Sequence, residues 1–383
     1  MIQQTAIRDP AVPEVELLLG PAAAEPVEAL IAQTGDGLEA LEIGQISYRP
    51  GRRITVVYSA TTGIGTRLPV VLGAGQIPDG ATLLETGSTR LGGWIVPHDP
   101  ALPGLAGLFD DRHRTELLAP LGVAPEPTTA RLRSYRPGKR AVVEVTGAGI
   151  RLFVKTIRPD DVAALQEAHT ALAPALPIPR SLGWSPEAGI VVLEPIGGTP
   201  LSQAVDHAPD PSTLFAVLDR IPPLDRRATS RKRKLAGHLR LLRRVAPHRE
   251  PTLASIESAA GRLTDLEPAP VHGDFHTGQV LVDGGRLVGV VDIDTVGLGQ
   301  PVDDCANLLA HLHVNALRDR SGATAGYGER AYAAARRRHD VTDLRIRTAA
   351  TLLGYASGPW SRQESGWEER VDRLVDAAAE WIS

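Results

Sequence analysis

The sequence has one cysteine in 383 residues, Cys305. A lone thiol cannot form an intramolecular disulfide, so the fold does not depend on an oxidising compartment. Long apolar runs are missing too: no stretch approaches the ~18 uninterrupted apolar residues of a transmembrane helix. There is no basic excess. The formal net charge is −4 and the pI about 6.3, which argues against general nucleic-acid binding. The opening residues, MIQQTAIRDPAVPEVELL, lack the basic start and apolar stretch of a signal peptide. The expectation is a cytoplasmic protein that engages neither membrane nor nucleic acid. Oligomeric state is not readable. Lysine is scarce and occurs only at positions 139, 155, 232 and 234. A lysine inside an apolar segment therefore stands out.

What is present is an ordinary globular balance, 43% hydrophobic and 22% charged, which separates the chain from disordered ones. Its length predicts two or three domains. A short motif occurs twice, ISYRPGRRITVVY at 46–58 and RSYRPGKRAVVEV at 133–145. Each is a Pro-Gly turn flanked by basic residues and followed by an alternating β-rich run. Two related β-hairpins are expected, one in each of two lobes. The second copy continues into Arg151-Leu152-Phe153-Val154-Lys155-Thr156, a strand with a lysine among apolar residues. The first copy contains no lysine.

Residues 161–173 have helical spacing and include Glu167. A strand at 190–194 leads into the turn Pro195-Ile196-Gly197-Gly198. From about residue 200 the pattern is mainly helical, ending in an amphipathic stretch at 367–382. β-rich first and helix-rich second predicts an α+β fold in lobes. The basic run at 226–244 reads as a solvated helix face. Cys305 sits in an apolar helical run and reads as buried core.

The segment that carries chemistry is Val271-His272-Gly273-Asp274-Phe275-His276-Thr277-Gly278-Gln279, followed after a turn by a run ending Val291-Asp292-Ile293-Asp294. The second run reads as a strand, so Asp292 and Asp294 should point to one side of it. Phosphoryl transfer needs these groups: a carboxylate for the acceptor hydroxyl, oxygen ligands for magnesium, and a cation for the nucleotide phosphates. Asp274 suits the first role, Gln279 and Asp292 the second, and Lys155 the third with Glu167 as its ion-pair partner. Arg136, Lys139 and Arg140 either lie over the phosphates or are exposed turn residues. Spacing alone leaves a metallohydrolase open, because His272, Asp274 and His276 alternate.

This stretch resembles the aminoglycoside phosphotransferase and choline kinase-like superfamily. The loop HGDFHTGQ is similar to the family pattern HGDxHxxN, VVDID to its IDW or IDF strand end, and residues 297–306 to GLGDPxYDLA. The resemblance covers about residues 130–310. It implies a bilobal protein kinase-like fold and an ATP- or other NTP-dependent, Mg-dependent transfer to a hydroxyl of a small molecule. It also implies that Asp304 is structural and that His272 holds the loop. Glu194–Ile196 is the expected hinge and nucleotide contact.

The family usually has asparagine where this chain has Gln279. The glutamine resembles the loop of actinobacterial maltokinase-like and glucosamine kinase-like enzymes, which carry an N-terminal cap. A sugar or amino-sugar acceptor is therefore expected, with an aminoglycoside antibiotic as the alternative acceptor. A catalytically inactive nucleotide-binding pseudokinase is the alternative from another class. The expected division is a cap at 1–125, a nucleotide-binding lobe at 126–196 and a helical lobe at 197–383. Asp294, Trp360 and Trp367 are candidates for acceptor contact, with Glu364, Glu368 and Asp372 as acidic groups that could attract an amine.

Overall fold

The computed structural model describes residues 7–87, 89–123, 128–147, 149–228, 231–264 and 266–383, with only the backbone described at 231–233. The expected boundary at 125 lies outside the described residues. The chain forms two compact units. The first takes Met1–Ala163, Ser181–Glu194 and Trp360–Ser365, and the second Ala164–Arg180, Pro195–Pro359 and Gly366–Ser383. Antiparallel sheets dominate the first and helices the second, which is the α+β class expected.

The first unit opens with α1 (Glu14–Leu18) and α2 (Ala24–Ile31). Five antiparallel strands follow, β1 (Leu38–Arg49), β2 (Arg53–Thr62), β3 (Arg67–Ala74), β4 (Thr82–Thr86) and β5 (Thr89–Ile95), in the order β1-β2-β3-β5-β4. Next come α3 (Gly104–Gly107) and α4 (Asp111–Leu118), then β6 (Thr129–Arg136), β7 (Arg140–Gly147), β8 (Ile150–Ile157), α5 (Pro159–Leu172), β9 (Ser181–Ser185) and β10 (Ile190–Leu193). These strands are ordered β6-β7-β8-β10-β9. The two sheets thus share one topology.

The repeat seen in the sequence extends further in space. Asp9-Pro10-Ala11-Val12-Pro13 precedes the first sheet and Asp99-Pro100-Ala101-Leu102-Pro103 the second. Tyr48 donates to Asp9 Oδ2 at 2.5 Å and the Gly51 N–H at 2.7 Å. Tyr135 and the Gly138 N–H donate to Asp99 Oδ2, both at 2.7 Å. In each copy one buried aspartate holds a Tyr-Arg-Pro-Gly turn. Both turns have Pro second and Gly third, with φ +72° at Gly51 and +64° at Gly138, the type II geometry that favours glycine there. The copies diverge at one register position. Thr55 pairs with Gly73 where the matching Val142 pairs with Lys155. The first sheet therefore repeats the second without its lysine.

Leu102, Leu105, Leu108 and Leu118 pack on Val143, Val154, Ile190 and Val192 of the second sheet. Because strand side chains alternate, Lys155 and its neighbours Val142 and Val191 lie on the other face. Trp94 of β5 packs with Tyr135 and donates Nε1–H to its hydroxyl at 2.7 Å, joining the sheets.

The second unit includes β11 (Thr199–Pro200), α6 (Pro211–Leu218), α7 (Arg231–Val245), α8 (Glu250–Gly261), β12 (Ala269–Val271), β13 (Val280–Asp283), β14 (Arg286–Val290), β15 (Gly297–Gly299) and α9 (Pro301–Ala316). It continues through α10 (Ala323–Ala335), α11 (Val341–Ala356), α12 (Gly358–Ser361), which runs into the first unit, and α13 (Trp367–Glu380). Helices α9 and α11 pack together, with α7 and α13 against α11 and α10 against α9. Arg347 on α11 is fully buried and pairs with Asp303 at 2.8 Å and Asp343 at 3.0 Å. Cys305 is buried, and burial pushes its thiol pKa up. Among the described residues, no helix is long and apolar enough to cross a membrane.

The basic run at 226–244 is more than a solvated face. Arg243 pairs with Glu250 and Glu257, and the Arg226 guanidinium donates to the Asp294 carbonyl. Residues 229 and 230 lie outside the described ones.

Candidate active site

The loop 272–279 runs between β12 and β13. Asp304 on α9 holds its start, accepting the His272 N–H at 2.6 Å and the Gly273 N–H at 2.9 Å. Gly273 has φ +79°, and a Cβ there would meet the Thr295 carbonyl oxygen at 2.4 Å. Only glycine fits. His272 is fully buried, and its Nε2 faces the Val291 carbonyl at 3.2 Å. That ring spans the loop and the segment after β14, a structural position rather than a ligating one. Among the described residues, no group of three or more His, Cys, Asp or Glu side chains is placed to hold a metal ion, so the hydrolase-type cluster does not assemble.

Asp274 is half-buried, and Asn307 on α9 donates to its Oδ1 at 3.3 Å. Asn307 is itself fully buried and accepts from the Tyr355 hydroxyl at 3.1 Å. His311, one helical turn beyond Asn307, stacks on His276 with ring centroids 4.4 Å apart. Its Nδ1 lies 2.5 Å from the Thr277 hydroxyl. Burial, and secondarily His276, push the His311 pKa down to about 4, so its neutral ring can accept from Thr277. Asn315 donates to Thr277 at 3.2 Å. Positions 304, 307, 311 and 315 form one face of α9, and that face grips the loop along its length. Sequence reasoning missed Asn307, His311 and Tyr355. The signal was a polar stripe at i, i+3, i+7 and i+11 inside an otherwise apolar helix.

Asp292 is not on a strand, because β14 ends at Val290. Its φ is +60° and ψ +51°, and it opens the short turn Ile293–Thr295. The expectation that Asp292 and Asp294 share a strand face is therefore corrected: the left-handed residue breaks the pleat. A left-handed non-glycine residue costs about 1–3 kcal/mol and persists only where its surroundings hold it. It turns Asp292 toward the loop, where Gln279 Nε2 lies 3.2 Å from its Oδ2 and 3.3 Å from His276 Nε2.

The donor set fits magnesium by its chemistry. The Gly278 N–H donates to His276 Nδ1 at 3.0 Å. With Nδ1 so engaged, His276 presents Nε2 to the Gln279 carboxamide at 3.3 Å. Amide orientation follows from such networks, and turning the carboxamide by half a turn offers Oε1 instead. That sets an amide oxygen beside a carboxylate oxygen, a pair that repels unless a hard cation lies between them.

Lys155 is buried on β8. Glu167 on α5 is exposed and enters no ion pair among the described residues. Helix α5 buries Val162, Leu165, Ala168 and Leu172. Glu194 follows β10 and is half-buried, and the chain passes from the first unit to the second between Glu194 and Pro195. Ile196 packs over Gly289 on β14. Trp360 is fully buried against Tyr48, with ring centroids 6.3 Å apart. Its ring has no open face for a sugar, which corrects that assignment. Trp367 is half-buried at the start of α13. Asp372 is paired with His248 at 2.8 Å and Glu364 with Arg362 at 2.7 Å, so neither offers an uncommitted carboxylate.

Comparison with solved structures finds similarity to the aminoglycoside phosphotransferase APH(2'')-Ib with ADP bound. It is 16% identical, covers 71% of this chain and 99% of that one, and has a TM-score of 0.47. A choline/ethanolamine kinase family protein from Mesorhizobium loti is 16% identical over 70% and 95% of the two chains, at 0.49. A macrolide 2'-phosphotransferase from Brachybacterium faecium is 17% identical over 69% and 97%, at 0.44. No curated protein sequence matches the chain significantly. Residues 133–340, more than half of the chain, match the sequence profile of the phosphotransferase enzyme family. The match runs through both the lysine strand and the loop held by α9, and the chain belongs to the phosphotransferase enzyme family.

Proposed function

We propose that this phosphotransferase moves the γ-phosphoryl group of ATP, or of another nucleoside triphosphate, to a hydroxyl of a sugar or amino sugar. The observation that carries the reading is the Gln279–Asp292 pair, 3.2 Å apart and reached through a left-handed Asp292, on the loop that bears Asp274. A strained residue that sets a carboxylate against the side-chain amide of the same loop is a signature of a working site. Magnesium, once bound by Gln279 and Asp292, would draw the nucleotide's phosphate oxygens together and offset their charge.

Asp274 orients the acceptor hydroxyl and takes its proton as the oxygen forms its bond to the γ-phosphorus. The bond from the γ-phosphorus to the bridging oxygen breaks, and the nucleoside diphosphate leaves with that electron pair. Asn307 donates to Asp274 Oδ1 and so helps to orient the carboxylate. Lys155 is the cation we assign to the phosphates, with residues 126–196 binding the nucleotide, Glu194–Ile196 beside its base, and 197–383 carrying the acceptor. Two features support the sugar class: Gln279 in place of asparagine, and a complete extra sheet ahead of the nucleotide-binding one.

A phosphorylation screen of sugars, amino sugars and aminoglycosides with ATP and GTP tests this reading. Asp274→Ala should lower turnover by about 10²–10⁴-fold with nucleotide binding retained. Turnover within a few-fold of wild type would sink the assignment. Nucleotide binding without turnover of any acceptor would point to a pseudokinase.

A further inference from the structure

The two Pro-Gly turns do more than repeat each other. In the first, Arg49 pairs across the hairpin with Arg53, and in the second Arg136 pairs with Arg140. The tips lie close together. Gly138 approaches Pro78 of the first sheet's β3–β4 connection, and Arg53 donates to Gln76 in that connection at 3.1 Å. Arg158, just past β8, donates to the Gly138 carbonyl at 3.1 Å. Arg49, Arg53, Arg136, Lys139 and Arg158 therefore gather at one place. Among the described residues none of the five has a carboxylate ion-pair partner. The two nearby acids are buried and engaged with their own turns: Asp9 accepts from Ala11, Tyr48 and Gly51, and Asp99 from Tyr135, Gly138 and Ala101.

Like charges held this close repel, and the cost appears on the lysine. Partial burial, then Arg49, Arg53, Arg136 and Arg158, push the Lys139 pKa down to about 8. Rigid scaffolding keeps the cluster together nonetheless: each turn is pinned by its own aspartate, and Trp94 ties Tyr135 to the first sheet. Five cations outnumbering the two buried carboxylates beneath them call for an anion with many acceptor oxygens.

We propose that the two tips form one cradle for an oligophosphate chain, to which the N-terminal sheet contributes Arg49 and Arg53. Geometry favours a short, dense anion over a long polymer, because the cations sit on two adjoining turns of an otherwise acidic chain. Lys155 pairs with Val142, two residues from Arg140, so cradle and lysine share one end of one sheet. The triphosphate of a nucleotide is thus the fitting occupant, an identification that rests on the kinase reading above. The first sheet then has a role: it lacks the lysine but has the basic turn.

The test measures binding of inorganic triphosphate to the full chain by calorimetry, and ATP kinetics alongside. The variants are Arg49→Gln/Arg53→Gln and, as a control on the same sheet, the exposed Arg90→Gln. The double variant should weaken triphosphate binding by about tenfold or more, with the control within twofold and thermal unfolding unchanged. ATP should compete with triphosphate, and the double variant should raise KM for ATP while leaving KM for the acceptor alone. If ATP does not compete, the cradle serves another phosphorylated ligand. If no acceptor is turned over yet triphosphate binds through Arg49 and Arg53, the kinase reading fails and the cradle stands. Triphosphate affinity unchanged in the double variant, or lowered equally by Arg90→Gln, overturns the cradle whatever the kinase activity.

Discussion

Asn307 donates its side-chain amide to Asp274 at 3.3 Å from a fully buried position on α9. The contact helps to fix the orientation of the carboxylate. Asn307→Leu keeps the side-chain volume and removes the donor. We expect kcat to fall by about ten- to a hundredfold, the scale of a misplaced reacting group, with nucleotide KM unchanged. Steady-state kinetics with both substrates varied, normalised to the folded fraction from thermal unfolding, checks this; a kcat within a few-fold of wild type per folded molecule would contradict it.

Gln279 and Asp292 supply the proposed metal oxygens. Even groups that only support metal ligands are worth about 10–100-fold. Gln279→Leu should therefore raise the magnesium concentration for half-maximal activity by at least about tenfold. Gln279→Asn keeps an oxygen one methylene further back and should show a smaller shift. Magnesium titrations at saturating nucleotide measure both, and identical curves for all three proteins would place the metal elsewhere.

Asp304 accepts two loop N–H groups while almost fully buried. Hydrogen bonds to a charged group contribute about 1.5–3 kcal/mol each. Asp304→Ala should cost about 3 kcal/mol or more, read from urea unfolding, and should abolish activity through the loop. A stability change under about 1 kcal/mol would contradict the clamp.

His311 makes the fold acid-sensitive. Its folded pKa is about 4, below the ordinary 6.5, mainly through burial. Between these values the unfolded chain binds the extra proton. Its contribution is therefore fully present above about pH 6.5 and is lost as pH falls toward 4, with a limiting slope of about 1.4 kcal/mol per pH unit. His311→Gln should flatten that slope in chemical unfolding measured across the window.

Trp360 packs on Tyr48 rather than facing a ligand. Trp360→Ala should lose about 3–5 kcal/mol of stability while KM for the acceptor stays within a few-fold. A large acceptor effect without destabilisation would restore the sugar-stacking role.

The loop was legible because its chemistry is local. His272, Gly273, Asp274 and Gln279 are consecutive enough that their types and order identify the family, and Lys155 stands out in a chain almost without lysine. Residues that act from another element were harder to see. Asn307 and His311 were hidden because a polar residue in an apolar helix has meaning only when its neighbour across the packing is known.

The sequence by itself determined the family, the α+β order of elements, the repeated hairpins and the loop that carries Asp274. These depend on short-range pattern: period-two alternation, turn chemistry at Pro-Gly, and groups close along the chain. Tertiary structure alone decided that Asp292 leaves its strand in a left-handed turn toward Gln279, and that one face of α9 holds the loop. It also decided that a buried aspartate pins each hairpin turn and gathers five cations at the two tips. Those features join residues tens of positions apart, where packing and charge, not local propensity, determine what meets.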